Sequence, residues 1–494
     1  MTQTVKRLKL DFYTITQREC VTAKQYDDMS RVIEIELYDN GQRYIIPSDC
    51  VVRFAAVSRA GKSIMQDVEL SNNLITVVLE KSMLSYAGLM ECEVLLVDPG
   101  TNSALSSASF HIHVIKSART FNGPPLKSVI YGVDINLMDT SVNAVGAVKY
   151  TDDAIGMTPM SNDWSEMPIF NKFRPCVLKN GVLQYYLDPD DYSRKRDGQP
   201  ADITSGDDGD VMIEIPKIGY SIKTENNIVK VRVCESKNAP GFKYYAHTRT
   251  LPGDREYLYI GAYKGFSNGG KLRSLSGKTP TGNQYISTLR TQAQANGAGY
   301  DMISFHLWTL LQCLILIKTR SARPHQVYVT GAAGRTSALP TGTTNQAGMT
   351  FADNTVSTEG YKQMKDFGIE DLWGNLQEYV DGVFLDQNRN VLTAFQGFND
   401  TGAGYTNNGP SVSADLPVSY MKTPVGTTEA GFIAVDGIVS GNVNAPIWHA
   451  ICSTAANSIL LAGRAYNQAD GPFSSLSYPV SARAYQRGTR LMYL

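Results

Sequence analysis

The segment RVIEIELYDNGQRYIIP, residues 31–47, alternates with the period of a β-strand and then turns back on itself. Ile33, Ile35 and Leu37 fall on one face and Glu34 and Glu36 on the other, the pattern of a strand with one face on a core and one in water. Asp39-Asn40-Gly41 follows, and Asn-Gly tolerates positive φ at both central positions of a two-residue turn, so a hairpin is expected there. Outward from this hairpin, comparable short runs occur at Arg7–Tyr13, Arg43–Pro47, Cys50–Val57, Leu74–Leu79, Glu91–Val97 and Ser107–Ile115. That density of short strands predicts an all-β sandwich over residues 1–118.

The rest of the chain bounds the function class. At about 150 residues per domain, 494 residues predict several domains. Lys+Arg 46 against Asp+Glu 47 leaves a net charge of -1 with no basic block, which argues against a general nucleic-acid or anionic-membrane binder. Apolar residues at 43% supply enough core to exclude a disordered chain. The cysteines (Cys20, Cys50, Cys92, Cys176, Cys234, Cys313 and Cys452) are odd in number and never closely spaced, so buried thiols from a reducing cytosol are expected rather than a zinc site or disulfide scaffold. The opening MTQTVKRLKLDFYT lacks the apolar core of a secretory signal. The longest apolar run, FHLWTLLQCLILI over residues 305–317, is too short for a bilayer and contains His306 and Gln312, so it reads as a buried helix with no membrane insertion. If such a chain works outside a cell, it gets there without a signal peptide of its own, and release by lysis as part of a virus particle is one such route.

Residues 119–165 start with TFNGPP, broken by Pro124 and Pro125, and continue with isolated apolar residues among Ser, Asn and Asp, so a connector is expected. Residues 166–494 read as a mixed α+β domain. One helix is expected over Gln284–Asn296 and another over Met302–Lys318, where Leu307, Leu310, Leu311, Leu314 and Ile317 fall at helical spacing. The Gly-, Thr-, Ala- and Asn-rich stretch 332–356 predicts a surface loop or insertion.

Two C-terminal stretches carry the functional signal. In DLWGNLQEYVDG, residues 371–382, the spacing of Trp373, Leu376 and Tyr379 predicts the apolar face of a turn or short helix. Gly374 permits close packing, and Glu378 and Asp381 are buried-network candidates that would satisfy loop amides. The last stretch, LLAGRAYNQADGPFSSLSYPVSARAYQRGTRLMYL, residues 460–494, mixes Tyr466, Asn467, Gln468, Asp470, Ser474, Ser475, Ser477, Tyr478, Arg483, Tyr485 and Gln486 with few aliphatic residues. Tyrosine gives large rigid contact area, serine and asparagine adaptable hydrogen bonds and arginine a bidentate anchor, so this composition fits a binding surface.

Three resemblances sharpen these readings. The N-terminal layout, with its DFYT strand, DNG hairpin and closing SASFHIHVIKSA strand, resembles the N-terminal domain of phage baseplate upper proteins, which implies attachment to a virion and to other baseplate or tail proteins. WSEMPIFNKFRPCVLKNGVLQYYLDPDD and GDDGDVMIEIPKIGY resemble the entry to a module common in phage tail proteins. DLWGNLQEYVDG resembles the core motif of C-type lectin folds of the formylglycine-generating-enzyme type, and the last stretch is similar to the variable region, about 460–490, of proteins diversified by a retroelement. The resemblance implies a structural frame of Trp373, Gly374, Asn375, Glu378, Leu461, Gly463, Tyr466, Gly471, Phe473, Gly488, Arg490 and Leu491 that brackets interchangeable positions.

Signals for chemistry are weaker. The enzymes sharing that lectin-type fold use a cysteine pair near the C-terminus, whereas only Cys452 stands there, in apolar WHAICSTAAN with His449. GKS at 61–63 lacks the rest of a phosphate loop. The acidic turn Asp207–Asp210 lacks calcium-loop spacing, so no cofactor and no metal are expected. The expected function is therefore non-enzymatic: a phage tail or baseplate receptor-binding protein whose diversified lectin-type surface grips a bacterial cell-surface protein or glycan. A homo-oligomer, a trimer by analogy with tail adhesins, is expected. The alternatives are an enzyme of the formylglycine-generating type or a glycan hydrolase, and a passive structural tail component.

Overall fold

The computed structural model describes residues 4–12, 20–24, 31–58, 63–80, 83–84, 88–101, 103–107, 109–115, 129–136, 148–249, 255–321, 324–329, 331–332, 337–349, 363–411, 419–438, 449–451, 458–462, 472–473 and 475–494. The chain divides into two compact units, Met1–Leu126 and Lys127–Leu494.

In the first unit, the predicted alternation becomes two sheets. One orders Thr4–Asp11, Arg31–Asp39, Leu74–Leu79 and Glu69–Ser71; the other orders Cys20–Lys24, Phe110–Ile115, Gly88–Val97, Val51–Ser58 and Ser63–Asp67. Their inward residues form one core, in which Ile33, Ile35 and Leu37 of the first sheet meet Phe54, Val94 and Phe110 of the second. Asn40 and Gly41 take φ of 48° and 81°, the turn their sequence predicts. Cys20–Lys24, Ser63–Asp67 and Glu69–Ser71 are additional strands; each is short and lies at a sheet edge, where half the alternation signal is missing. The strand expected over Arg43–Pro47 stops after Gln42–Arg43. Asn73 draws the chain off the sheet there, with its Oδ1 accepting from Ile46 N at 2.8 Å and its Nδ2 donating to Tyr44 O at 2.8 Å.

The second unit is built chiefly of sheets. Ile130–Asn136 and Val148–Asp152 lie in a four-stranded sheet with Ile228–Cys234 and Gly219–Glu225, so these parts of the 119–165 stretch are sheet rather than linker. Val133 pairs with Tyr150 on one side and, on the other, with Val231 from about a hundred residues away, a partner that neighbouring residues do not reveal. A six-stranded sheet orders Val182–Tyr186, Arg174–Lys179, Asp210–Pro216, Tyr257–Gly261, Leu491–Tyr493 and Tyr300–Met302, and a nine-stranded sheet centres on Gln377–Leu385 and Ser458–Ala462.

Among the described residues two longer helices pack among these sheets. Helix α1 is Ile286–Gln294 and helix α2 is Phe305–Thr319. The second starts three residues later than its periodicity predicts, because Met302 pairs with Leu491 as a strand and Ser304 Oγ caps Leu307 N at 3.3 Å. Every residue of α2 is buried, and Gln312 Nε2 donates to Pro472 O at 2.9 Å.

Two further expectations are corrected. Trp373–Tyr379 is neither helix nor single turn: Asp371, Gly374 and Asn375 have φ of 53°, 82° and 62°, which no α-helix accommodates, and a strand begins at Gln377. The described part of the 332–356 stretch is only in part a surface loop, exposed at Ser337, Pro340, Thr343 and Gln346. Leu339, Thr341 and Thr344 are buried, and Glu370 accepts from Gly342 N at 2.9 Å, Thr344 N at 3.0 Å and Thr344 Oγ1 at 2.7 Å. Small polar residues serve there because their hydroxyls and amides must match buried partners.

Candidate ligand-binding surface

The C-terminal segment is locked into the second unit before it reaches the surface. Leu491–Tyr493 is inserted between Tyr257–Gly261 and Tyr300–Met302. Arg487–Gly488 runs parallel to Gln377–Glu378. A Cβ on Gly488 would lie 2.9 Å from Thr281 O and 3.0 Å from Leu376 Cδ1, so the chain passes there only without a side chain.

Beneath this segment sits a buried charge cluster. Arg490 and Glu378 are both 0% exposed, with Arg490 Nε 2.7 Å from Glu378 Oε1. Lys264 Nζ, on Glu378's same oxygen side, is at 3.5 Å. Arg490 also donates to Asp371 O at 2.6 Å. Burial pushes the Lys264 ammonium down to about 8, against the opposing pull of Glu378. Burial raises the Asp371 carboxyl, although Lys264, Gln363 and Asn375 favour its charged form. Glu378 and Asp381 thus hold cations more than loop amides: Asp381 binds Arg290 Nε at 2.6 Å and Nη2 at 3.1 Å, with one amide, Gly382 N, at 3.1 Å. Sequence adjacency suggests loops; the partners come from α1, from the chain's end and from Lys264, just past the strand Tyr257–Gly261.

The expected frame residues that can be placed are interior. Trp373 is buried and its indole N–H donates to Val329 O at 2.9 Å. A Cβ on Gly374 would lie 2.7 Å from Ala332 N. Asn375 bonds both ways with Leu339 and donates to Asp371 Oδ2 at 2.8 Å. Phe473 packs edge-on against Phe432 at 5.6 Å. Leu491 is buried.

Between Pro479 and Gln486 the chain emerges as an alternating strip: Ser481, Arg483 and Tyr485 are exposed, and Ala482, Ala484 and Gln486 are half-buried. Tyr485 is 74% exposed. The strip is tied down from below by Tyr379 Oη donating to Ala482 O at 3.0 Å, Asn283 N to Ala484 O at 2.9 Å and Gln377 N to Gln486 O at 2.8 Å. The Arg483 guanidinium lies over the Tyr285 ring at 5.1 Å. Tyr285 and the Gly282–Asn283 turn were missed in the sequence, because nothing there links them to a segment 200 residues away. Ser475, Ser477 and Tyr478 lie on the strand Ser475–Pro479, where Tyr478 stands opposite Ile459 and Ser477 opposite Leu460. Tyr466, Asn467, Gln468, Asp470, Ser474, Gly463 and Gly471 lie outside the described residues.

Cys452 lies outside the described residues. Burial drives up the Cys92 thiol to about 12, and the Cys176 and Cys313 thiols also rise. Asp301 is raised to about 7 by burial and by neighbouring Asp381, but Asp381 is engaged by Arg290, so the two do not form a free acid–base pair. Asp208 and Asp210 of the acidic turn bind Tyr185 and Arg273. Among the described residues no group of three or more His, Cys, Asp or Glu is placed to hold a metal ion. No described helix is long and apolar enough to cross a membrane.

Comparison with known proteins places the front of the chain. Residues 6–143 match the family described as the BppU N-terminal domain. The match runs past the end of the first compact unit at Leu126 and takes in the strand Ile130–Asn136 of the second. The N-terminal domain of phage TP901-1 ORF48 is 18% identical, is covered over 100% of its length and covers 24% of this chain, with a TM-score of 0.21. No curated protein matches the chain. Residues 6–143 thus resemble a phage baseplate domain, which supports a phage structural or baseplate protein.

Proposed function

We propose that the protein is a receptor-binding component of the phage baseplate. Residues 1–118 attach it to the virion, and 166–494 form a C-type-lectin-type domain that presents the surface around 460–490 to a bacterial cell-surface protein or glycan. The interchangeable positions on that surface are the ones a retroelement would diversify, and several copies, a trimer by analogy with tail adhesins, multiply weak contacts by effective concentration. The observation that carries this reading is the strip at Ser481, Arg483 and Tyr485: an exposed tyrosine and arginine beside Tyr285, standing on a buried, ion-paired base. Exposed aromatic–arginine clusters on a rigid support are what binding hot spots need. The test is adsorption of purified protein to host cells. Truncating both Arg483 and Tyr485 to Ala should weaken binding by about 30-fold, the equivalent of a 2 kcal/mol hot spot, without changing thermal stability. Undiminished adsorption would refute this reading. Diversification is tested separately by sequencing sister genomes, where variation confined to 460–490 is expected.

A further inference from the structure

Two cavities of the second unit, about 660 Å³ and about 530 Å³, share Asn171, Arg174 and Arg196 as a common wall. Neither is lined by any residue of the strip at 479–486 or by Tyr285. The larger has an apolar interior that includes Phe173, Val329 and Phe367, with Ser161, Ser165 and Asn171 among its polar groups. The smaller is charged. Lining the two together are the cations Lys172, Arg174, Arg196, Lys217, Lys237 and Lys318 and the carboxylates Glu235 and Glu256. Lys172 pairs with Glu235 and Lys237 with Glu256, while Glu214 and Asp366 pair with Arg174 and Lys318. Each of these four cations is thus offset by a carboxylate.

Arg174 is held in place where the cavities meet. Its guanidinium lies 4.7 Å from the Tyr186 ring centre and 5.7 Å from that of Tyr257, and pairs with Glu214. Glu214, 3% exposed, is itself fixed by Tyr259 Oη at 2.9 Å and Tyr186 Oη at 3.2 Å. Arg174 nonetheless keeps 40% of its side chain exposed. A cation with its rotamer locked and its remaining N–H donors free loses little entropy when an anion arrives. Arg196, beside it, is exposed.

We propose that this double cleft binds an acidic saccharide, whose ring lies in the apolar cavity and whose carboxylate or phosphodiester group sits on Arg174 and Arg196. A sugar ring can set a C–H face on apolar walls and keep its hydroxyls toward polar rim groups, whereas a peptide main chain in the same cavity would lose hydrated amides without replacement. Nucleic acid binding needs open aromatic faces for base stacking, and those of Tyr186 and Tyr257 are covered by Arg174.

The test is calorimetric titration of the full chain with poly(glycerol phosphate), polygalacturonate, neutral dextran, polyglutamate and single-stranded DNA. Either acidic saccharide should bind, with affinity falling as salt screens the cleft, and the better of the two assigns the anion. Arg196→Glu should weaken that binding by about tenfold or more, as expected on losing a charge-assisted contact and adding a repulsion, while Lys230→Glu, outside the cleft, should not. Because Arg196 is exposed, a tryptophan-monitored unfolding curve unchanged by Arg196→Glu separates lost binding from lost folding. Failure of both acidic saccharides, equal binding by dextran, tighter binding by polyglutamate or DNA, or full binding by folded Arg196→Glu protein would each overturn the proposal. Host-cell adsorption by the Tyr485 surface is a different measurement, so either reading can fail alone.

Discussion

Replacing Glu378 by Gln should unfold the C-terminal frame far more readily than any surface change. Glu378 is the counter-charge for two buried cations, Arg490 at 2.7 Å and Lys264 at 3.5 Å, and none of the three side chains is more than 1% exposed. Removing one member of a buried pair leaves an uncompensated charge that costs about 3–5 kcal/mol. Lys264 limits the loss: burial already holds it at about 8, and without Glu378 to raise it, it becomes neutral at pH 7. The stranded charge is then Arg490, which cannot shed its proton. The expected loss is therefore about 3 kcal/mol, the lower end of that range, and adding Lys264→Met should cost little more. Urea unfolding followed by tryptophan emission reads this directly, because Trp164, Trp308, Trp373 and Trp448 all lie in the second unit. Lys230→Ala, which breaks the solvent-exposed Lys230–Glu225 pair, is the control and should leave the curve in place. A Glu378→Gln loss below about 1 kcal/mol would refute the claim that this pair locks the frame.

Three further outcomes follow from the geometry. Burial, reinforced by Arg249, holds the His306 imidazole down at about 3 against an ordinary 6.5, so the unfolded chain takes the proton first. Stability is complete above about pH 6.5 and falls as pH drops toward 3; His306→Phe, preserving the stack on Phe395 at 4.8 Å, should flatten that acid limb in pH-dependent melts. Gly282→Ala would place a Cβ 2.1 Å from Tyr485 O, so it should displace the exposed strip, weaken host-cell adsorption and cost about 1–3 kcal/mol in the urea assay. Phe54→Ala empties the centre of the first unit's core and should cost about 3–5 kcal/mol by circular dichroism, with a loss under about 1 kcal/mol contradicting the packing described.

By itself the sequence determined local geometry: the strand faces of Ile33, Ile35 and Leu37, the Asn40-Gly41 turn, and α1 and α2 to within a few residues. Each is written in the spacing or turn chemistry of neighbouring residues, and burial of one face follows from that spacing. The exposure of Arg483 and Tyr485 belongs partly to this class, since Ser481 to Gln486 alternates like any strip with one side in water. Tertiary structure alone decided which distant groups meet. Arg490 finds Glu378 only because Arg487–Gly488 runs beside Gln377–Glu378. Tyr285 reaches Arg483 because the turn before α1 crosses the C-terminal strip. Arg174 becomes a fixed cation because Tyr186, Glu214 and Tyr257 converge from three strands of one sheet. A charge or a glycine in sequence carries no record of its partner, because pairing energy depends on distance and dielectric, and the topology of the fold sets both.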